Sequence, residues 1–90
     1  MYEAKLERFT PVRGVPEHLR GFVDLQARIE GRELEGDEQV ALLVVEGTSS
    51  YVAVFLDAKG VFDLEARLSE QNAGIAPADL ARILEAASKA

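Results

Sequence analysis

Hydrophobic and polar residues alternate in three segments of the chain, residues 2–9, 21–30 and 62–69. Such alternation is typical of a strand that has one face in a core and the other in water. In the first segment, for example, Tyr2 and Ala4 are separated by Glu3. We therefore predict a half-buried strand in each of the three segments.

Residues 21–30 also allow a helix. Pro16 and Gly31 lie where such a helix would begin and end. Two observations favour the strand: Gln26 would lie among apolar neighbours on a helical wheel, and Gly21 lies within the segment. The strand is the preferred interpretation, and the helix stays open as the alternative.

Two further segments are apolar without alternation. Residues 39–46 contain six apolar residues in a row, and residues 51–56 are apolar throughout. Runs of this kind indicate strands buried on both faces. Residues 47–50 have turn composition and would join the two strands as a hairpin. Residues 57–60 are predicted to form a type I turn that leads into the strand at 62–69.

A C-terminal helix is predicted to begin at Pro77. Asp79 would lie in its first turn, where a carboxylate complements the helix dipole. The apolar stripe with helical spacing i, i+3, i+4, i+7 consists of Leu80, Ile83, Leu84 and Ala87. Three polar or glycine- and proline-containing segments, residues 10–20, 31–37 and 71–76, are predicted to be connections.

Residues 20–29 resemble residues 59–68. Five of the ten aligned positions are identical, and Gly21 aligns with Gly60. The similarity does not continue on either side, so it does not indicate a repeat architecture. It does predict that the two segments share one type of secondary structure.

These elements predict an α+β fold in a single domain that spans residues 1–90. We expect about five strands in a twisted antiparallel sheet or a partly open small barrel, with one C-terminal helix packed on it. One helix would leave the second apolar face of the central hairpin bare. Either the sheet closes on itself with residues 10–20 as a lid, or a second chain covers this face, and the second chain is favoured.

The composition limits the partners. With 16 acidic and 10 basic residues, the formal net charge of −6 repels phosphate and anionic lipid, so we expect no nucleic-acid and no membrane partner. The first residues lack the apolar segment of a signal peptide, and no apolar run is long enough to span a bilayer, so a cytoplasmic protein is expected. The richness in alanine and arginine suggests a bacterial source.

No residue is assigned a catalytic, cofactor-binding or metal-binding role. Cysteine is absent, which removes thiolate catalysis and cysteine-based metal sites. His18 is the single histidine, and the acidic residues 30–38 lack the spacing of a calcium loop. Asp24 and Asp63 are interpreted as solvent-facing carboxylates, and residues 48–50 as hairpin residues.

The aromatic residues are not interleaved with clustered basic residues and are therefore interpreted as core residues. They are Tyr2, Phe9, Phe22, Tyr51, Phe55 and Phe62. The predicted function is that of a non-catalytic protein–protein interaction or homodimerising module. The alternative is a small-molecule-binding protein or a small enzyme without a known motif.

Overall fold

The computed structural model describes residues 1–89, which form four strands and three helices. The strands are β1 (Tyr2–Pro11), β2 (Gln39–Val45), β3 (Tyr51–Phe55) and β4 (Ala73–Ile75). The helices are α1 (Arg20–Glu30), α2 (Ala58–Glu70) and α3 (Pro77–Ser88). Two short 3-10 turns, Val12–Gly14 and Glu17–Leu19, connect β1 to α1. None of the helices in the described part of the chain is long and apolar enough to cross a membrane.

The four strands form one curled, mixed sheet in the order β3-β2-β1-β4. Strand β2 is antiparallel to β1 and to β3, whereas β4 is parallel to β1. The register between β1 and β2 shifts between Leu6 and Arg8, which leaves Glu7 as the extra residue of a β-bulge. The bulge bends β1 and contributes to the curl of the sheet.

Each face of the sheet carries its own apolar cluster. On one face, β2 and β3 contribute Ala41, Leu43 and Val54, which pack with residues of α2 and α3 such as Leu64 and Ile83. The residues between β1 and α1 and helix α1 itself cover the opposite face. That cluster contains Val15, Leu19, Val23, Ala27, Val40, Leu42, Ala53 and Phe55. The hairpin of β2 and β3 is therefore buried on both sides, as its continuous apolar runs predicted.

The α+β class is confirmed, but the predicted count of five antiparallel strands with one helix is wrong. The sheet has four strands and mixed direction, and three helices pack on it. Part of the predicted connection at residues 71–76 is the short strand β4. Three residues are too few for an alternating pattern to be visible, so the sequence predicts a loop where β4 lies.

The preferred interpretation of residues 21–30 as a strand is wrong, because this segment is helix α1. Gly31 ends the helix in the left-handed conformation, with φ of 69°, as the alternative expected. Gln26 does lie among apolar residues of the buried face, and carboxylates hydrogen-bond its amide. The alternation was misleading, since Leu25 and Ile29 are about half exposed while Gln26 and Glu30 are buried.

The predicted type I turn at 57–60 and strand at 62–69 are also wrong. Asp57 is instead the N-cap of α2, and its carboxylate accepts a 2.8 Å hydrogen bond from the backbone N–H of Gly60. A type I turn and the first turn of a helix have similar backbone angles, so Asp-x-x-Gly fits either. The two similar segments do share one type of secondary structure, as predicted, and that structure is helical.

The second face of the hairpin is not bare, so the expectation that a second chain covers this face lacks its structural basis. The chain covers that face itself, with α1 and with Val15 and Leu19 from the connection between β1 and α1. The alternative, a sheet that curls under a lid of residues 10–20, describes the structure better, although α1 provides much of the cover.

Candidate functional site

An apolar groove runs between α2 and α3 on their outer side. It has a volume of about 370 Å³ and is lined by Val61, Leu64, Glu65, Leu68, Ile75, Leu80 and Leu84. Leu64 and Leu68 form its floor and are buried, whereas Leu84 is 46% exposed. Glu65 is the one charged residue of the lining.

Phe62 stands next to this groove on α2. Its side chain is 88% exposed, the largest exposure of any aromatic residue in the described chain. A shallow surface around it is lined by Val61, Phe62, Glu65, Ala66 and Ser69, so Val61 and Glu65 border both this surface and the groove. The two features therefore form one continuous apolar patch.

Apart from Glu65, the charged side chains of α2 lie on its other flank. Lys59 donates a hydrogen bond to the carbonyl of Glu30, and Asp63 accepts one of 2.6 Å from Gln26, so this flank meets α1. Arg67 follows on the same flank one turn later and pairs with Glu70 at 2.9 Å. Helix α2 thus separates a charged, partnered side from an apolar side that faces solvent.

A second candidate region is a polar cluster centred on Arg32, directly after α1. The guanidinium makes two parallel hydrogen bonds to Asp57, from Nη1 to Oδ2 at 2.7 Å and from Nη2 to Oδ1 at 2.6 Å. Its Nε donates to Glu30 at 2.8 Å. The guanidinium also lies over the ring of Phe55, with 4.5 Å from Cζ to the ring centroid.

We call Arg32 with its two partners, Asp57 and Glu30, the Arg32 clamp. The hydrogen bonds within it shift the pKa values of Arg32 and Asp57. The hydrogen bonds to Asp57 are the main cause that raises the pKa of Arg32 above its usual range. In return, the hydrogen bonds from Arg32, and then that from the Gly60 N–H, hold the pKa of Asp57 below its ordinary value of 3.8. The pair is therefore ionised at neutral pH, and it connects the end of α1 to the start of α2.

A depression of about 340 Å³ beside the clamp is lined by Glu35, Asp37, Glu38, Gln39, Phe55, Leu56 and Asp57. Two of its carboxylates already have a partner, since Asp57 binds Arg32 closely and Glu38 lies 3.7 Å from the same guanidinium. Across residues 1–89, no group of three or more histidine, cysteine, aspartate or glutamate residues is arranged to hold a metal ion.

The residues considered in the sequence do not come together in one site. His18 is exposed in the 3-10 turn Glu17–Leu19. Asp24 is exposed on α1, whereas Asp63 is partly buried against Gln26, so the interpretation of Asp63 as a purely solvent-facing residue is wrong. Thr48 lies in the hairpin turn as predicted, and its hydroxyl donates a 2.7 Å hydrogen bond to Val45.

A family model described as a domain of unknown function (DUF749) matches residues 2–87. The chain belongs to this family. No curated protein and no solved structure matches the sequence. Since the match extends from β1 into the last turn of α3, the groove and the Arg32 clamp both lie within the DUF749 domain.

Sequence reasoning missed the main features of this DUF749 surface. The aromatic residues were all expected in the core, which is wrong for Phe62 and for the partly exposed Tyr2 and Phe9. A signal was present, because residues 61, 64 and 68 have helical spacing and place Phe62 on the opposite side of α2. The strand interpretation of 62–69 instead placed Phe62 on the apolar face.

The Arg32 clamp leads to a prediction for the stability of this DUF749 domain. Asp57→Asn keeps an oxygen that caps Gly60 but removes the charge, and we expect it to cost roughly 0.5–1 kcal/mol at neutral pH, because the side chain of Asp57 is 47% exposed and solvent screens the pair. Asp57→Ala also removes the cap and should cost about 1 kcal/mol more. Denaturant unfolding of the three proteins measures both differences.

The pH dependence has a definite sign. Because the pKa of Asp57 is lower in the folded state, the ion pair stabilises the protein above the ordinary value of 3.8, and this is lost as the pH falls through the folded-state pKa. The difference between the wild type and Asp57→Asn should therefore shrink between about pH 5 and about pH 2. A difference that stays constant over this range would contradict the role of the charge.

Proposed function

We propose that this domain is a non-catalytic protein–protein interaction module that binds through the outer face of α2 and α3. The observation that carries the proposal is the exposure of Phe62, at 88%, beside the apolar groove. An aromatic side chain of this size gains free energy when a partner removes it from water. Contiguous exposed apolar patches of this kind mark interaction surfaces on small soluble proteins.

The distribution of charge supports the same face. Ten residues line the groove and the adjoining surface around Phe62, and Glu65 is the one charged residue among them. Charged residues make up 29% of the whole sequence, so about three would be expected in a set of this size. The residues are Val61, Phe62, Leu64, Glu65, Ala66, Leu68, Ser69, Ile75, Leu80 and Leu84. Depletion of charge is typical of the centre of a protein interface.

The character of the concave surfaces favours binding over catalysis. The groove between α2 and α3 is apolar and lacks the convergent polar groups of a catalytic pocket. In the polar depression, the carboxylates of Asp57 and Glu38 are engaged by Arg32. Arg32 in turn is held by Asp57, Glu30 and the Phe55 ring, which fits a structural role.

The proposal predicts that position 62 contacts a protein partner. A photoreactive benzoylphenylalanine at position 62 should give adducts of discrete mass when the domain is irradiated in an extract of its source cells. For adducts with a foreign protein, excess unlabelled wild-type domain should suppress crosslinking and excess Phe62→Ser domain should not, because the removed side chain is the expected anchor. Adducts with a second copy of the domain are recognised instead by a mass of twice the domain. Denaturing gels and mass spectrometry of the adducts are the measurement.

The matched control carries the same label at Arg28, which is exposed on α1 and therefore on the opposite side of the sheet. Adducts at position 62 that are no more frequent than those at position 28 would contradict the proposed function.

A further inference from the structure

We infer that the partner is a second copy of this chain, bound across a twofold axis so that Phe62 of each copy lies in the groove between α2 and α3 of the other. This inference rests on the proposed function and names the occupant of its surface. It concerns the outer face of these helices, whereas the sequence had suggested self-association through a bare sheet face that α1 covers.

The patch contains two complementary shapes. Phe62 projects at 88% exposure, and the groove of about 370 Å³ is lined with aliphatic side chains such as Leu80 and Leu84. A twofold interface uses the same patch on both copies. The rotation that brings Phe62 of one copy into the groove of the other therefore also brings the second Phe62 into the first groove. A foreign partner would have to supply both a pocket for Phe62 and a separate side chain for the groove.

The small area of the patch and the net negative charge of each chain indicate a weak, reversible dimer. The 13 residues of α2 span about 20 Å, and two adjacent helices are about 20 Å wide, which gives a projected area of roughly 400 Å². This is below the approximately 800 Å² per partner of a standard interface, so we expect a dissociation constant in the micromolar range. Each copy carries a net charge of −6, so the two copies repel each other, and added salt should strengthen the dimer by screening.

Two charge substitutions test the arrangement by complementation. Phe62→Glu removes the projection, and Leu84→Lys places a cation in the groove. Each variant alone should associate at least about 100-fold more weakly than the wild type, because every dimer contains the altered contact twice. An equimolar mixture should recover association, since the heterodimer pairs an intact Phe62 with an intact groove and the introduced glutamate with the introduced lysine.

Sedimentation velocity over a concentration series, from about 1 µM to about 500 µM to span the expected dissociation constant, measures all of these species. The matched control is Leu25→Lys, because Leu25 is 46% exposed like Leu84 but lies on α1. The control should associate like the wild type. Circular dichroism checks that each variant is folded, and Ala81→Lys, at an exposed position of the same α3 face, replaces Leu84→Lys if that variant is not.

Three results would overturn the inference: a wild type that is monomeric throughout the series, a mixture that associates no better than its components, or a loss of association with Leu25→Lys alone. The proposed function fails separately. If the adducts at position 62 contain a foreign protein and the wild type is monomeric, the inference of a second copy is wrong, whereas the proposed function as an interaction module is supported. The absence of specific adducts from a domain that is also monomeric would reject both.

Discussion

Gly60→Ala is expected to destabilise the protein by about 3 kcal/mol or more, which is a large fraction of the typical stability of about 5–15 kcal/mol. Gly60 lies in the first turn of α2, directly against the preceding strand. A Cβ at this position would overlap the carbonyl oxygen of Phe55 and lie 2.8 Å from its carbonyl carbon. Because these are backbone atoms, no side-chain rotation relieves the overlap. Denaturant unfolding, or loss of dispersed amide signals in the NMR spectrum, measures the effect.

Gly21→Ala is the matched control, because Gly21 holds the same position in the similar segment that forms α1. A Cβ at Gly21 would meet no atom within 4 Å. Here alanine should stabilise the protein by roughly 0.5–1 kcal/mol, since it raises helix propensity without a steric cost. Equal changes at the two glycines would show that α2 does not approach β3 as closely as described.

Removal of α3 is the second change with a large expected effect. A chain that ends at Ala76 should be insoluble or molten, with retained secondary structure but without fixed side-chain packing. It loses Ile83, which is fully buried, together with the partly buried Leu80 and Ala87. Each fully buried aliphatic side chain contributes about 1.5–3 kcal/mol, which is large against a typical total of about 5–15 kcal/mol.

The control for this truncation is a chain that ends at Ser88, the last residue of α3, and it should fold like the full-length protein. Near-ultraviolet circular dichroism and NMR dispersion distinguish a native from a molten state. Sharp, native-like spectra from the chain that ends at Ala76 would show that the sheet and α2 fold without α3.

The sequence predicted the secondary structure best where its physical signals allowed only one type of element. The continuous apolar runs of β2 and β3 admit few interpretations other than doubly buried strands, and both were predicted with nearly correct ends. Helix α3 combines a proline at its start with an apolar stripe of helical spacing, so two independent signals agreed.

The errors arose where two periodicities fitted the same residues. In α1 and α2, apolar residues occur at positions that satisfy an alternating pattern, and tertiary packing then selects the helix. The two helices also bury different faces of their similar sequences. Val23 is buried in α1, whereas Phe62, its aligned counterpart in α2, is exposed. The alternating pattern alone does not determine which face meets the sheet, because that choice also depends on the neighbouring elements.

The candidate surface could not be predicted from the sequence, because it also depends on how the helices pack on the sheet. The exposure of Phe62 follows from the position of α2 against β3, and the groove exists only because α3 returns to the same side of the sheet. The Arg32 clamp likewise joins residues 25 positions apart that no motif connects. Such features depend on tertiary structure, and composition and local pattern do not determine them.

The position of β1 has a consequence for how the chain folds during synthesis. This first strand pairs with β4 at residues 73–75, and the N–H of Leu6 donates a 3.1 Å hydrogen bond to Asp79, 73 residues later. The edge of β1 that pairs with β4 therefore stays unpaired until residues 73–75 have left the ribosome. Contacts between such distant residues also make folding slow, because a long loop must close before they form. The outer edge of β1 is thus expected to be accessible to chaperones until β4 and the first turn of α3 have been synthesised and have emerged.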